Sequence, residues 1–161
     1  MNSLPLCEVQ NVLDSVMRDI TNRVANIQLC KKDSVLSNNI CTVHTVFEGN
    51  YHASLTLCAD TSLFIRLTKN VMQEEKVAQQ DIEDFSKEYF NVICGQVVAH
   101  LFEDTHLSSR FQIPTFYVGQ HLPDGQNDSR LVLRYTSNCN ECAQLIYQIP
   151  FLSKEHCMDE N

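Results

Sequence analysis

Glycine and proline are scarce, four of each in 161 residues, which excludes collagen-like and low-complexity chains built from those residues in bulk. Basic side chains are also few. Twelve Lys and Arg stand against 20 Asp and Glu, a formal net charge of −8, and no basic cluster is present to displace counterions from a phosphate backbone. General nucleic-acid binding is therefore excluded. No stretch approaches the roughly 20 apolar residues that span a bilayer. Met1–Glu8 lacks the basic start and apolar core of a secretory signal. A cytoplasmic protein with no membrane insertion is expected.

The remaining composition, 43% apolar and 20% charged, is that of a packed globule. A chain of roughly 150 residues buries about 70% of its unfolded surface, so one core suffices without disulfide or metal. One domain over residues 1–161 is expected. The eight cysteines, Cys7, Cys30, Cys41, Cys58, Cys94, Cys139, Cys142 and Cys157, are scattered through apolar segments, where a reduced thiol behaves as a small hydrophobe.

Hydrophobic period divides the chain. From Val9 to Ile27 apolar residues recur at steps of three and four, including Val16, Ile20 and Val24, which predicts a helix with one buried side. Around Ile40 the period becomes two. Gly49-Asn50 then offers a two-residue turn, and Tyr51, Ala53, Leu55 and Leu57 resume the alternation, predicting an antiparallel hairpin. Asp60 and Thr61 can cap a helix running to about Met72. The longest helical pattern follows, with Ile82, Phe85, Tyr89, Ile93, Val97 and Leu101 on its apolar side. Phe111–Val118, Leu131–Tyr135 and Gln144–Ile149 read as three more strands, and His121 to Ser129 as a turn-rich loop. The order helix, strands, two helices, strands implies an α+β fold.

A long helix buried through Tyr89 and Ile93 shows another side to water. Steps of four, three and four align Asp84, Glu88, Asn91 and Gly95 there. An acid and a carboxamide one turn apart, followed by a residue with no side chain, make a surface that another protein can approach closely. Acids and amides are also the ordinary content of a wet helix face. Spacing alone therefore does not assign a function.

The segment Asp84-x3-Glu88-x2-Asn91, followed after 22 residues by Pro114, resembles the signature of the CheC/CheX/FliY family of chemotaxis phosphatases. The Glu48-Gly49-Asn50-Tyr51 hairpin, the Asn91-Val92-Ile93-x-Gly95 run and Ile113-Pro114 are similar too. Read as carrying one Glu-x-x-Asn pair, where CheC-type members carry two, the chain is nearest to CheX. The resemblance implies an antiparallel sheet packed against long helices, and a phosphatase acting on the aspartyl phosphate of a CheY-like response regulator. It implies Asn91 as the residue that orients the attacking water and Glu88 as the partner of the regulator's active-site Lys. Asp84 and Pro114 are expected in structural roles, a helix-start or orienting contact and a sharp strand constraint. Gly95 would leave room for the partner's loops, an inference from its missing side chain.

Many relatives have Gly and a small residue where this chain has Lys87 and Phe90. Lys87 is expected beside the docking face, attracting phosphate while opposing a partner Lys. Phe90 is expected to narrow the approach or fill a partner pocket. The resemblance also implies a homodimer, and Mg²⁺ on the response regulator with no cofactor on this chain. The alternative from another functional class is a silent adaptor of the same fold that binds a receiver without hydrolysis. Cys139-x-x-Cys142 has the spacing of half a zinc site, but no second pair accompanies it. His44 and His52 share the first hairpin without a nucleophile and acid that would complete a triad.

Overall fold

In the computed structural model, which describes residues 4–33, 35–122 and 129–150, the first apolar period becomes α1 (Leu6–Ala25) and buries Val9, Leu13, Val16 and Ile20. Asn26 ends it in a left-handed conformation, φ 54°, its N–H reaching Asn22 O at 2.8 Å. Val24, expected on the buried side, is 38% exposed. Successive steps of four turn about 40° around the axis, so Val24 drifts off the core and Ala25 takes its place. Ile27 is buried just beyond the helix.

The sequence pattern did not reveal β1 (Leu29–Lys31), which is too short to show alternation. β2 (Ile40–Gly49) and β3 (Ala53–Asp60) form the expected hairpin. Its turn differs from expectation. A two-residue Gly49-Asn50 turn would pair Glu48 with Tyr51, whereas the last pair is Phe47 with Ala53. Beyond Phe47, β2 continues against β4 (Ser109–Phe111), pairing Glu48 with Arg110 and Gly49 with Ser109. The glycine serves that approach. A Cβ at Gly49 would stand 3.2 Å from Ser108 O, and its φ of +123° suits glycine alone.

α2 (Thr61–Met72) starts where expected, without the expected cap. The Asp60 carboxylate instead accepts the Ser37 N–H at 2.9 Å and the Cys142 N–H at 2.8 Å. The Thr61 hydroxyl donates to Asn39 Oδ1 at 2.9 Å. Both side chains tie loops to the sheet. α3 (Gln79–Thr105), β5 (Thr115–Val118), β6 (Ser129–Ser137) and β7 (Cys142–Ile149) complete the described elements.

The strands make one antiparallel sheet in the order β1-β6-β7-β3-β2-β4, with β5 also on β2. Alternate residues such as Leu55, Leu57, Leu133, Tyr135 and Leu145 join the core formed with the helices. The fold is thus α+β, as expected. No described helix is long and apolar enough to cross a membrane.

The strand expected over Phe111–Val118 is interrupted. β4 pairs Phe111 with Phe47, and β5 pairs Thr115 with His44, so three residues on one side face two on the other. This is a bulge, and the buried Pro114 sits in it. Proline has no N–H for the ladder, so a bulge on the outer strand is where it fits.

Candidate functional site

α3 is fixed in rotation before it presents anything. At its start the Asp81 carboxylate accepts the Ala78 N–H at 3.0 Å. Midway the Tyr89 hydroxyl lies 2.6 Å from Thr21 Oγ1 on α1, both residues buried. Burial pushes the Tyr89 phenol well up, against a smaller downward effect of the Thr21 hydrogen bond, which keeps this link between the helices uncharged. Ile93, Val97 and Leu101 fill the core below.

The outward side follows from that anchoring. Asp84, Glu88 and Asn91 are exposed and Gly95 is half-exposed. The Asp84 carboxylate accepts from Gln80 Nε2 at 2.9 Å, while Asp81 makes the helix-start contact expected of Asp84. Lys87 lies on the flank, its Nζ 3.9 Å from Glu83 Oε1. The expectation for Phe90 is corrected: it is fully buried. It stands one turn from Ser86 and Cys94, which are buried with it, while Phe85 is only half-buried. The buried side is rotated from the Phe85–Tyr89–Ile93 line, which places Phe90 in the core.

Glu88 and Asn91 are one helical turn apart on a rigid element, open to solvent. The carboxamide can accept from and donate to a water, and the carboxylate can pair with a cation. Two grooves among the described residues lie elsewhere. One of about 760 Å³ runs between the C-terminal ends of α1 and α2, and one of about 240 Å³ runs between α1 and α3. A solvent-exposed helix face with polar chemistry is suited to completion by a second protein.

At Gly95 an added Cβ would meet nothing within 4 Å. The glycine therefore answers no internal packing need, although it costs a helix interior about 0.5–1 kcal/mol relative to alanine. Gly95→Ala is expected to raise unfolding free energy by about that amount, read from the urea midpoint at unchanged slope.

A second Glu-x-x-Asn does occur, correcting the expectation of a single pair. Glu8 and Asn11 are exposed on α1 and border the smaller groove with His100 and Asp104. Leu4 stands where the signature has Asp, and no proline lies 23 residues beyond Asn11. The full four-point signature occurs once.

The histidine that acts on His44 is not His52, its neighbour on the hairpin, but His121. His44 Nδ1 lies 2.8 Å from Thr56 Oγ1, and its pKa is lowered by burial and then by His121, with no contribution from His52. His121 stacks on Tyr117 with centroids 3.9 Å apart. Much of the loop expected over His121 to Ser129, from residue 123 to 128, lies outside the described residues, as does Cys157. Cys139 is exposed and Cys142 half-buried at the β6–β7 turn. Among the described residues no group of three or more His, Cys, Asp or Glu is arranged to hold a metal ion.

The family model described as "Chemotaxis phosphatase CheX" matches residues 41–134, a span containing Glu88, Asn91 and Pro114. No curated protein is matched. Among solved structures, CheX from Desulfovibrio desulfuricans superposes with a TM-score of 0.76 at 17% identity, covering 88% of this chain and 99% of that one. CheX from Vibrio vulnificus gives 0.75 at 13% identity, covering 91% and 99%. A complex of CheX with CheY, BeF3 and Mg²⁺ from Borrelia burgdorferi gives 0.70 at 16% identity, covering 90% and 97%. At these identities the likeness is one of fold.

Proposed function

The chain belongs to the CheX family of chemotaxis phosphatases, and we propose that it hydrolyses the aspartyl phosphate of a CheY-like response regulator through Glu88 and Asn91 of α3. The observation carrying this reading is the exposed Asn91 carboxamide, one turn from Glu88 on a helix locked from behind by Tyr89. In the reaction a water attacks phosphorus and the bond from phosphorus to the acyl oxygen breaks. Inorganic phosphate leaves and the regulator's carboxylate is regenerated.

The regulator contributes Mg²⁺ and a Lys around the leaving group, so the phosphatase adds chiefly alignment of the water. Asn91 supplies it. An uncharged amide oxygen accepts from the water without opposing the phosphoryl charge, as a carboxylate would. Glu88 pairs with the regulator's Lys and fixes the register of the inserted helix. Asp84, held by Gln80, and Pro114 in its bulge support the face without touching phosphate. Gly95 leaves space for the partner's loops, and Lys87 stays at the margin. This chain requires no cofactor of its own.

The same reading takes residues 1–161 as one domain that acts in the cytoplasm as a homodimer joined through its sheets. The outer β4–β5 edge favours such pairing, because Ile113 is 89% and Val118 75% exposed, and bare apolar edges tend to add strands. Val118→Lys is expected to shift light-scattering mass from two chains to one while leaving activity per chain within twofold. A monomeric parent protein would end the dimer proposal alone.

The direct test phosphorylates receivers from the same genome with a small-molecule phosphodonor and follows decay with and without the protein. Acceleration of at least one receiver supports the enzyme. Tight binding to a phosphorylated receiver with no acceleration would establish the silent adaptor in its place.

A further inference from the structure

The outward stripe of α3 does not stop at the residues given a chemical task. It continues in unbroken steps of four, three, four, three and four through Asp84, Glu88, Asn91, Gly95, Val98 and Phe102. At about 100° per residue, Asn91 and Phe102 point within about 20° of each other, roughly 16 Å apart along the axis. The character changes at Gly95. Before it the stripe is polar; beyond it come a half-buried Val98 and Phe102, 48% exposed.

Single exposed hydrophobes are ordinary on protein surfaces. Phe102 differs in its alignment. The core is served by Ile93, Val97 and Leu101 on the other side of α3, with Val98 partly packed against its margin, and the Phe102 ring has His106 edge-on at 6.1 Å. The seam is open at Gly95, where nothing lies within 4 Å of an added Cβ.

Size decides what such a seam is for. Glu88 and Asn91 together span about 4.5 Å of helix, whereas a stable interface presents about 800 Å² per partner, a disc roughly 32 Å across. Solvated polar groups give little net affinity, and aromatic anchors supply much of it. The stripe from Glu88 to Phe102 is about 21 Å long and fits inside one such footprint. A second copy of this chain centred on Phe102 would reach about 16 Å in every direction, bringing its rim up against Asn91 and crowding the approach of any substrate protein. The continuous seam therefore favours the substrate protein as occupant.

We infer that Gly95, Val98 and Phe102 form an apolar docking shelf for the phosphorylated receiver, engaging an apolar patch beside its acyl phosphate. This rests on the reading of Asn91 given above. The shelf supplies affinity, whereas Asn91 supplies rate.

The test is dephosphorylation of a receiver that the parent protein accelerates, measured against receiver-phosphate concentration for Phe102→Ser, Phe102→Leu and Asn91→Ala. Phe102→Ser is expected to raise the half-saturating concentration about tenfold with the saturating rate within twofold. Phe102→Leu should restore most of the affinity, and Asn91→Ala should lower the saturating rate at near-parental half-saturation. An unchanged curve for Phe102→Ser beside an inactive Asn91→Ala overturns the shelf and leaves the phosphatase reading intact. A fully active Asn91→Ala overturns that reading and the shelf with it. A change in sedimenting mass for Phe102→Ser assigns the residue to a contact between copies and overturns the shelf. Circular dichroism and thermal melting serve as the folding control; should Phe102→Ser unfold, Gly95→Leu, which crowds the shelf without removing a packed side chain, must raise half-saturation or the inference fails.

Discussion

Asn91→Ala is expected to reduce the acceleration of receiver dephosphorylation about a hundredfold while leaving circular dichroism and thermal melting unchanged. The magnitude follows from the role. Aligning a reacting group or removing one preorganised hydrogen-bonding group is worth about 10²–10³ in rate. The fold is spared because the residue is exposed, and alanine is at least as good a helix former as asparagine. Asn91→Asp tests the charge argument at nearly constant shape. A carboxylate beside the phosphoryl oxygens introduces like-charge repulsion, so the aspartate variant should be no better than alanine. Asn11→Ala is the matched control. Asn11 has the same Glu-x-x-Asn setting and is also exposed, but lacks the rest of the signature, and its loss should leave the rate within twofold. A fully active Asn91→Ala would remove the water-aligning assignment, and an inactive Asn11→Ala would move it to α1.

These expectations depend on features that were unequally legible in the sequence. The phase of α3 could be read because Ile93, Val97 and Leu101 repeat over several turns, so the opposite side, with Glu88 and Asn91, followed from period alone. One turn nearer the N-terminus the same reasoning chose Phe85 over Ser86. A serine gives no hydrophobic signal, yet it is fully buried. The same phase leaves Phe90 off the core, and its departure from the small residue of many relatives is what suggests a partner contact. The Tyr89–Thr21 link joins residues 68 positions apart, and no local pattern discloses it. The Gly49 turn failed for a related reason: its glycine is used against β4, some 60 residues on, and the hairpin signal is identical either way. Pro114 in the sequence suggests a constraint on a strand, whereas the bulge in which it sits emerges only from the two registers on β2. The chemistry itself came from the family signature. Composition and period alone lead only to an α+β globule with a wet helix face.

Glu88→Lys is expected to raise the half-saturating receiver concentration at least a hundredfold, and Glu88→Ala about tenfold. The difference carries the argument. Removing one member of a desolvated charge pair costs about 2–5 kcal/mol where it is fully buried, and Glu88 stands at an exposed position that docking would desolvate only in part, so the alanine effect falls below that range, at about 1.4 kcal/mol or tenfold. Lysine adds repulsion against the receiver's Lys to that loss, and like charges brought together in an interface cost several kcal/mol. Ionic strength separates electrostatic pairing from simple loss of contact. Salt screens charge pairs, so the parental half-saturating concentration should rise with added NaCl, that of Glu88→Ala should rise less, and that of Glu88→Lys should fall. The saturating rate should stay within a few-fold of the parent for Glu88→Ala, since the carboxylate positions the helix and Asn91 positions the water. Should Glu88→Ala instead lower the saturating rate as far as Asn91→Ala, at unchanged half-saturation and salt response, the carboxylate acts on the reacting atoms and the division of labour along α3 is wrong.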